Sequence, residues 1–246
     1  MKDETSQRHM VEFSIGLPAY NEANTLENAV TKVMKALEEF AHSYEIIIAE
    51  DGSTDGTDKV AALLSERYPL VKHLHIEKRL GRGAALKNAF KKASGKILVY
   101  MDVDLATNVG QLESLVKAIE EEEYDLAVGS RMLSKSRVER SRTRHLFSII
   151  YNFMVRAMLG SKVKDHQCGF KAFRREPLMQ LLDEVAASHW FWDTELIVRA
   201  FRKGYTIKEI PVEWTSGHET KVRLIEDSFD MAWQVIKLWW QLKWSS

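Results

Sequence analysis

Between Phe13 and Val128 the chain alternates short apolar runs with longer stretches of helical spacing. The apolar runs fall at Phe13–Leu17, Glu45–Ala49, Val71–Ile76, Ile97–Met101 and Asp125–Val128. Ile97-Leu98-Val99-Tyr100-Met101 has no polar interruption, which predicts a strand buried on both faces, as in a parallel sheet. Leu26, Ala29, Val30, Val33, Leu37 and Phe40 recur at the spacing of one helix face, with Asn24 and Glu27 placed to cap its start. Further helices are predicted from about Asp55 to Arg67 and from Arg82 to Ala93. Such alternation builds right-handed βαβ units, so the expected fold class is α/β, a mainly parallel twisted sheet flanked by helices.

After residue 130 the alternation stops. Arg131–Arg144 is polar and dense in lysine and arginine, and reads as a mobile loop. Two amphipathic helices of unusual breadth are predicted at 144–160 and 228–244. In the first, Leu146, Ile149, Ile150, Phe153, Met154, Ala157 and Met158 form one stripe, and Phe147, Tyr151 and Val155 a second. A helix apolar over so wide an arc must bury both sides in protein, or one in protein and one in lipid. In the second, Phe229, Ala232, Trp233, Ile236, Trp239 and Trp240 make an apolar face, with Lys237, Gln241 and Lys243 among the polar positions. Tryptophan beside lysine suits a membrane interface, and Arg137, Arg140, Arg142 and Arg144 are placed to meet lipid phosphates.

At 246 residues the chain fits a single domain, 1–246, with a regular half at 11–130 and an extension at 131–246. Basic and acidic residues total 35 each, so no global field draws the chain to nucleic acid. Cys168 is the only cysteine, which excludes an internal disulfide or a cysteine-based zinc site and suits a reducing compartment. The polar first ten residues do not read as a signal peptide, and no apolar run approaches the ~18 residues of a spanning helix.

The chemistry concentrates at strand ends. Asp102 and Asp104 emerge together after Met101, at the carboxyl end of a strand, where open α/β sheets bind ligands. Paired carboxylates suit Mg²⁺ or Mn²⁺, and such an ion can hold a diphosphate. Three other segments fall at the same rim: Leu17-Pro18-Ala19-Tyr20-Asn21-Glu22, Glu50–Thr57 and Leu80–Leu86. Pro18 is expected to stop its strand, and Tyr20 offers a flat face for a base. An acid of Glu50-Asp51 can accept hydrogen bonds from a base or ribose. Gly81 and Gly83 permit close backbone approach, with Arg82 facing phosphates. Gly81-Arg82-Gly83 lacks the third spaced glycine of a dinucleotide fingerprint and does not follow the first strand, which disfavours an oxidoreductase. His73, His75, His189 and His218 show no metal-ligand spacing.

These segments in this order, with Gly129-Ser130-Arg131, resemble the family 2 glycosyltransferases of GT-A fold. Asp165–Phe173 and Phe191–Leu196 narrow the resemblance to polyprenyl-phosphate sugar synthases, especially dolichyl-phosphate glucosyltransferases. The resemblance covers roughly residues 11 to 225 and implies a nucleotide-sugar-binding half at 11–130 and an acceptor-side half at 131–246. It implies that Pro18, Ala19, Tyr20, Glu22 and Asp51 frame the nucleotide with Arg82. Asp102 would reach ribose or metal, and Asp104 the metal. Arg131 would meet phosphates, Lys221 would close on the diphosphate, and Asp165 and Gln167 would line the acceptor and sugar pocket. Asp193 stands where a base would serve a hydroxyl acceptor; with a phosphate acceptor it orients a sugar hydroxyl or a cation. Many relatives carry Asp-Asp where this chain has Glu50-Asp51.

The implied reaction is inverting, metal-dependent transfer of a hexose from a nucleotide diphosphate, foremost UDP-glucose, to polyprenyl or dolichyl phosphate. The expected location is peripheral, at the cytoplasmic face of a membrane, with oligomeric state open. The alternatives are GDP-mannose as donor, a soluble or polysaccharide acceptor, or a nucleotide-sugar-binding protein without turnover.

Overall fold

The structure, a computed structural model, describes residues 10–216 and 224–244. Lys221 and His218 lie outside the described residues. The regular half runs β1 (Phe13–Ala19), α1 (Leu26–Glu38), β2 (Tyr44–Glu50), α2 (Thr57–Arg67), β3 (Val71–Leu74), α3 (Arg82–Lys92), β4 (Ile97–Met101), α4 (Leu112–Glu120) and β5 (Leu126–Ser130). The rest adds β6 (Arg137–Glu139), α5 (Arg142–Leu159), β7 (Phe170–Arg174), α6 (Arg175–Glu184), α7 (Trp192–Arg202), β8 (Ile207–Pro211), β9 (Glu213–Thr215) and α8 (Leu224–Trp244).

Seven strands form one sheet in the order β3-β2-β1-β4-β7-β5-β8. All pairings are parallel except those of β7, which runs antiparallel between β4 and β5. Every residue of β2, β4 and β5 is buried, as strands covered by helices on both faces require. One face of the sheet packs Ile15, Leu17, Ile46, Ile48, Val99 and Met101 under α1, α2 and α4. The other packs Ile47, Leu98, Tyr100 and Phe173 under α3, α6 and α7. The α/β expectation therefore holds, with the insertion of β7 as the element that spacing did not announce.

Local differences have local causes. Pro18 lies inside β1 rather than ending it. Pairing with β4 covers only Phe13–Gly16, so the N–H that proline lacks is not needed on that side. Thr25, not Asn24, precedes α1, and its hydroxyl turns back to Glu22 instead of capping the helix. Arg131–Arg144 is not a mobile loop. It contributes β6, which pairs with β9, and its last residues begin α5 under an Ser141 cap.

The two amphipathic helices pack on each other and on α7. Tyr151, Val155 and Leu159 meet Phe191, Val198, Met231, Val235 and Leu238 in a separate small core. Tyr151 and Val155 of the second stripe read along α5 are thus protein-facing, whereas Phe147 is exposed. Leu146, Ile149, Ile150 and Phe153 of the first stripe remain exposed, Phe153 by 64%. On α8 the expected single face divides. Trp239 packs against the small core, whereas Phe229, Trp233, Trp240 and Trp244 are exposed. Among the described residues no helix is long and apolar enough to cross a membrane.

Candidate active site

The carboxyl ends of β1, β2, β4 and β5 open onto one cleft, as the sheet topology dictates. Asp102 follows β4 directly, and its backbone N–H donates to the Gly169 carbonyl just before β7. A Cβ at Gly169 would lie 1.8 Å from Asp102 Oδ2, so the absence of a side chain there is what allows the carboxylate its position. Asp104, two residues on, stands at the cleft surface and accepts the Ala106 N–H at 3.0 Å. Desolvation between the cleft walls and the neighbouring Asp102 charge push its carboxyl up to about 6. Two hard oxygen donors in adjacent positions, with negative charge in excess on one of them, fit a divalent cation.

Asp102 is not alone. Arg82, in the first turn of α3, donates to Asp102 Oδ1 at 2.8 Å and also to Asp193 Oδ2. Its guanidinium lies beside Tyr100 and Trp190, 5.5 Å and 5.1 Å from their ring centroids. Asp193, in the first turn of α7, further accepts from the Tyr100 hydroxyl and, at 2.8 Å, from Lys171 Nζ. Lys171 is fully buried in β7 and also bonds the Tyr100 hydroxyl at 3.0 Å and the Cys168 carbonyl. Burial opposes both charges, pushing the Lys171 ammonium down and the Asp193 carboxyl up, while the Arg82 guanidinium paired with Asp193 opposes the second shift. α3 and α7 come this close because Gly83 leaves room for Trp192; a Cβ there would sit 2.4 Å from that side chain.

Sequence reading missed Tyr100, Lys171 and Trp190. One signal was available: a lysine inside the apolar run Phe170–Phe173 has to find a buried counter-charge.

The loops that follow β1, β2 and β3 come together at one rim, each with partners. Arg79 lies over the Tyr20 ring at 3.7 Å. Asn21 Oδ1 accepts the Thr54 N–H, and the Asn21 N–H reaches Ser53. These bonds tie the loop after β1 to the loop after β2, which fixes Pro18, Ala19 and Glu22 along one wall. The Asp51 carboxylate accepts the Leu80 and Gly81 N–H groups at 2.7 Å and 2.8 Å. It therefore shapes the turn that presents Arg82.

Arg131, at the end of β5, forks onto Asp165, Nε to Oδ2 at 2.8 Å and Nη2 to Oδ1 at 2.9 Å. Asp165 also accepts the N–H groups of Arg131 and Gln167. The guanidinium beside it outweighs burial and holds its carboxyl far below the usual carboxylate range. Gln167 reaches Met231 of α8 at 3.5 Å. Arg140 lies near Arg131 and bonds the neutral partners Ser148 and His145; burial and the Arg131 charge push it down to about 10. Burial pushes the Cys168 thiol up to about 11, which leaves it inert as a nucleophile.

Comparison with known proteins adds the following. The profile of Glycosyl transferase family 2 matches residues 14–182. The glycosyltransferase AglD of Haloferax volcanii is 47% identical over 94% of this chain, which spans 38% of that protein. The dolichyl-phosphate beta-glucosyltransferase of Dictyostelium discoideum is 29% identical over 92% of this chain and 73% of its own length. Among solved structures, glucosyl-3-phosphoglycerate synthase from Mycobacterium tuberculosis with UDP superposes with a TM-score of 0.68 at 22% identity. That match covers 93% of this chain and 79% of the other. The same enzyme has been solved with Mn²⁺, UDP and phosphoglyceric acid, and superposes with a TM-score of 0.67. These likenesses bear out the GT-A expectation for the fold.

Next to Asp165, His166 is fully buried, with Nδ1 on Asn152 Oδ1 at 2.8 Å and Nε2 on Ser161 Oγ at 2.9 Å. Burial, which opposes its charging, pushes it down to about 3. The unfolded chain takes that proton near pH 6.5, so between about 6.5 and 3 the unfolded state binds more protons and stability falls as pH falls. Urea unfolding at pH 7, 6, 5 and 4 is expected to show His166→Gln losing less stability than wild type per unit of acidification, by up to about 1.4 kcal/mol. Parallel curves would refute this.

Proposed function

This chain belongs to glycosyl transferase family 2, and from that premise we propose that it moves a hexose, foremost glucose from UDP-glucose, onto a polyprenyl or dolichyl phosphate. The observation that carries the reading is the Asp102/Asp104 pair at the end of β4, with Asp102 seated over Gly169 and paired to Arg82. The departing nucleoside diphosphate gains negative charge, and a divalent cation held by Asp102 and Asp104 would stabilise that charge. Mg²⁺ and Mn²⁺ both suit the donor set. Arg82 lies within reach of the same phosphates once it releases Asp102. Pro18, Ala19, Tyr20 and Glu22 line the nucleotide wall, and Asp51 acts through the Leu80–Gly81 turn. Lys221, outside the described residues, is assigned the closing cation from the family resemblance.

A lipid phosphate is a ready nucleophile. Its second pKa lies near ~6, so it attacks the anomeric carbon largely as the dianion and needs no base. Attack from the face opposite the leaving diphosphate inverts that centre. The geometry of Asp193 supports this division of labour: its carboxylate is buried and spent on Lys171, Arg82 and Tyr100. It acts as a positioning residue for Arg82. Arg131, locked by Asp165, and Arg140 face the acceptor phosphate, with Gln167 beside them. GDP-mannose as donor keeps every one of these roles and stands as the second reading, since donor choice rests on a few contacts in the nucleotide wall.

The exposed Leu146, Ile149, Ile150 and Phe153 of α5, with Trp233 and Trp240 of α8, support peripheral attachment to a membrane; the cytoplasmic face is carried over from the family resemblance. Such a surface would bring the lipid to the acceptor side of the cleft.

With Mn²⁺, polyprenyl phosphate and a panel of labelled nucleotide sugars, label should enter the organic phase from UDP-glucose, and Asp104→Asn should abolish it. Donor binding without product would leave only a sugar-nucleotide-binding protein. In single turnover at saturating donor, Asp193→Asn is expected to lose less than the ~10²–10⁴-fold that removal of a general base costs. A larger loss that high pH partly restores, in a variant with wild-type melting, would make Asp193 the base. Flotation with anionic liposomes should carry the wild type and leave Trp233→Ser/Trp240→Ser in the soluble fraction; equal fractions would remove the membrane claim.

A further inference from the structure

Away from the Asp102/Asp104 pair, the edge of the sheet gathers a second set of metal-type donors. His73 and His75 alternate with Leu74 and Ile76 on β3 and the residues that follow it. Leu74 and Ile76 turn to the α3 side of the sheet, so both imidazoles turn to the other side. The parallel register sets Ile48 beside His73 and Ala49 beside Leu74, which brings Glu50, at the end of β2, next to His75. The result is a cluster that linear spacing hides, because its third member comes from the neighbouring strand. One nitrogen from each imidazole and one Glu50 oxygen lie within 4.8 Å of one another.

Two features set this cluster apart from a chance gathering. The Glu50 side chain has no solvent exposure, and its partners are the Ser53 N–H and His75 Nδ1, both at 2.5 Å. A buried carboxylate in such a place calls for a cation. In addition, His73 Nε2 is buried and has no hydrogen-bond partner. Asp58, at the start of α2, adds negative potential at His73. His75 is 46% exposed, which leaves one side open to solvent and to an entering ion.

We propose that Glu50, His73 and His75 form a cation site for zinc or a similar borderline transition metal, separate from the carboxylate pair at β4. Two imidazoles and one carboxylate are a donor set for Zn²⁺ or Co²⁺, whereas Mg²⁺ prefers oxygen alone. The ion would bind β3, an edge strand of four residues, to β2. It would also hold Glu50 against Ser53, and so steady the loop that carries Asp51 and the Asn21–Ser53–Thr54 bonds. Its role is structural: a clamp on the nucleotide wall.

The test uses the full chain, stripped with EDTA and titrated with Co²⁺ alone. Wild type and Asp104→Asn should both take one equivalent with the strong visible absorption of a four-coordinate site, displaced by Zn²⁺. His73→Ala and His75→Ala should lose that absorption and weaken Zn²⁺ binding by at least ~10-fold. Melting in EDTA shows whether these variants fold. Should either fail, X-ray absorption of zinc-loaded Asp104→Asn decides, with two imidazole ligands expected. Weak six-coordinate absorption, loss of the signal in Asp104→Asn, unchanged binding in folded histidine variants, or fewer than two imidazoles would each overturn the site.

Discussion

A lysine ammonium with no solvent exposure lies in β7, the strand inserted between β4 and β5, and most of the cleft is arranged to accommodate it. An unpaired buried charge is among the most expensive features a fold can contain. Lys171 therefore dictates its surroundings: the Asp193 carboxylate, the Tyr100 hydroxyl and the Cys168 carbonyl. Asp193 in turn takes Arg82, and Arg82 takes Asp102. Four charges of alternating sign thus run from mid-sheet to the rim. Through them the first turns of α3 and α7 and the end of β4 are held to one geometry. Removing one partner of such a buried pair typically costs about 3–5 kcal/mol, because its mate is left uncompensated.

That chain of charges gives the two rim carboxylates different characters. Asp102 is already bonded to the Arg82 guanidinium, while Asp104 accepts a backbone N–H and feels Arg82 only through space, against the like charges of Asp102 and Glu22. A cation at the rim would therefore meet Asp104 as the less engaged carboxylate, with Asp102 still held by Arg82. The acceptor side repeats the pattern. Arg131 is neutralised by Asp165, whereas Arg140 meets only neutral partners. Arg140 thus keeps a charge that no carboxylate among the described residues bonds, a residue that sequence placed among four arginines with no reason to prefer one.

Much of this was legible beforehand, and what was missed shares one cause. Ile97–Met101 read as a doubly buried strand because its apolar run is continuous, and Asp102 and Asp104 then had to emerge at its end. Lys171, Tyr100 and the Glu50–His73–His75 cluster were invisible to spacing because each depends on which strands are neighbours. The antiparallel course of β7 sets Lys171 opposite Tyr100 in register. Nothing within Phe170–Arg174 specifies that pairing, which is decided by tertiary packing. The partners of Asp165 depend on tertiary packing in the same way: its carboxylate bonds go to Arg131 and Gln167, and its N–H donates to Glu209.

The helices α5 and α8 show how far a pattern of apolar positions can be taken. Breadth of the apolar arc on α5 implied two burial partners, and the structure supplies one: Tyr151, Val155 and Leu159 enter the small core with α7 and α8. The other arc keeps Leu146, Ile149, Ile150 and Phe153 in contact with water, and α8 adds Phe229, Trp233 and Trp240. Large exposed apolar patches on a folded chain mark surfaces that meet something else. The arginines at the start of α5, with a charge opposite to that of anionic headgroups, narrow what that something is. Their charge fits the membrane surface proposed for these helices.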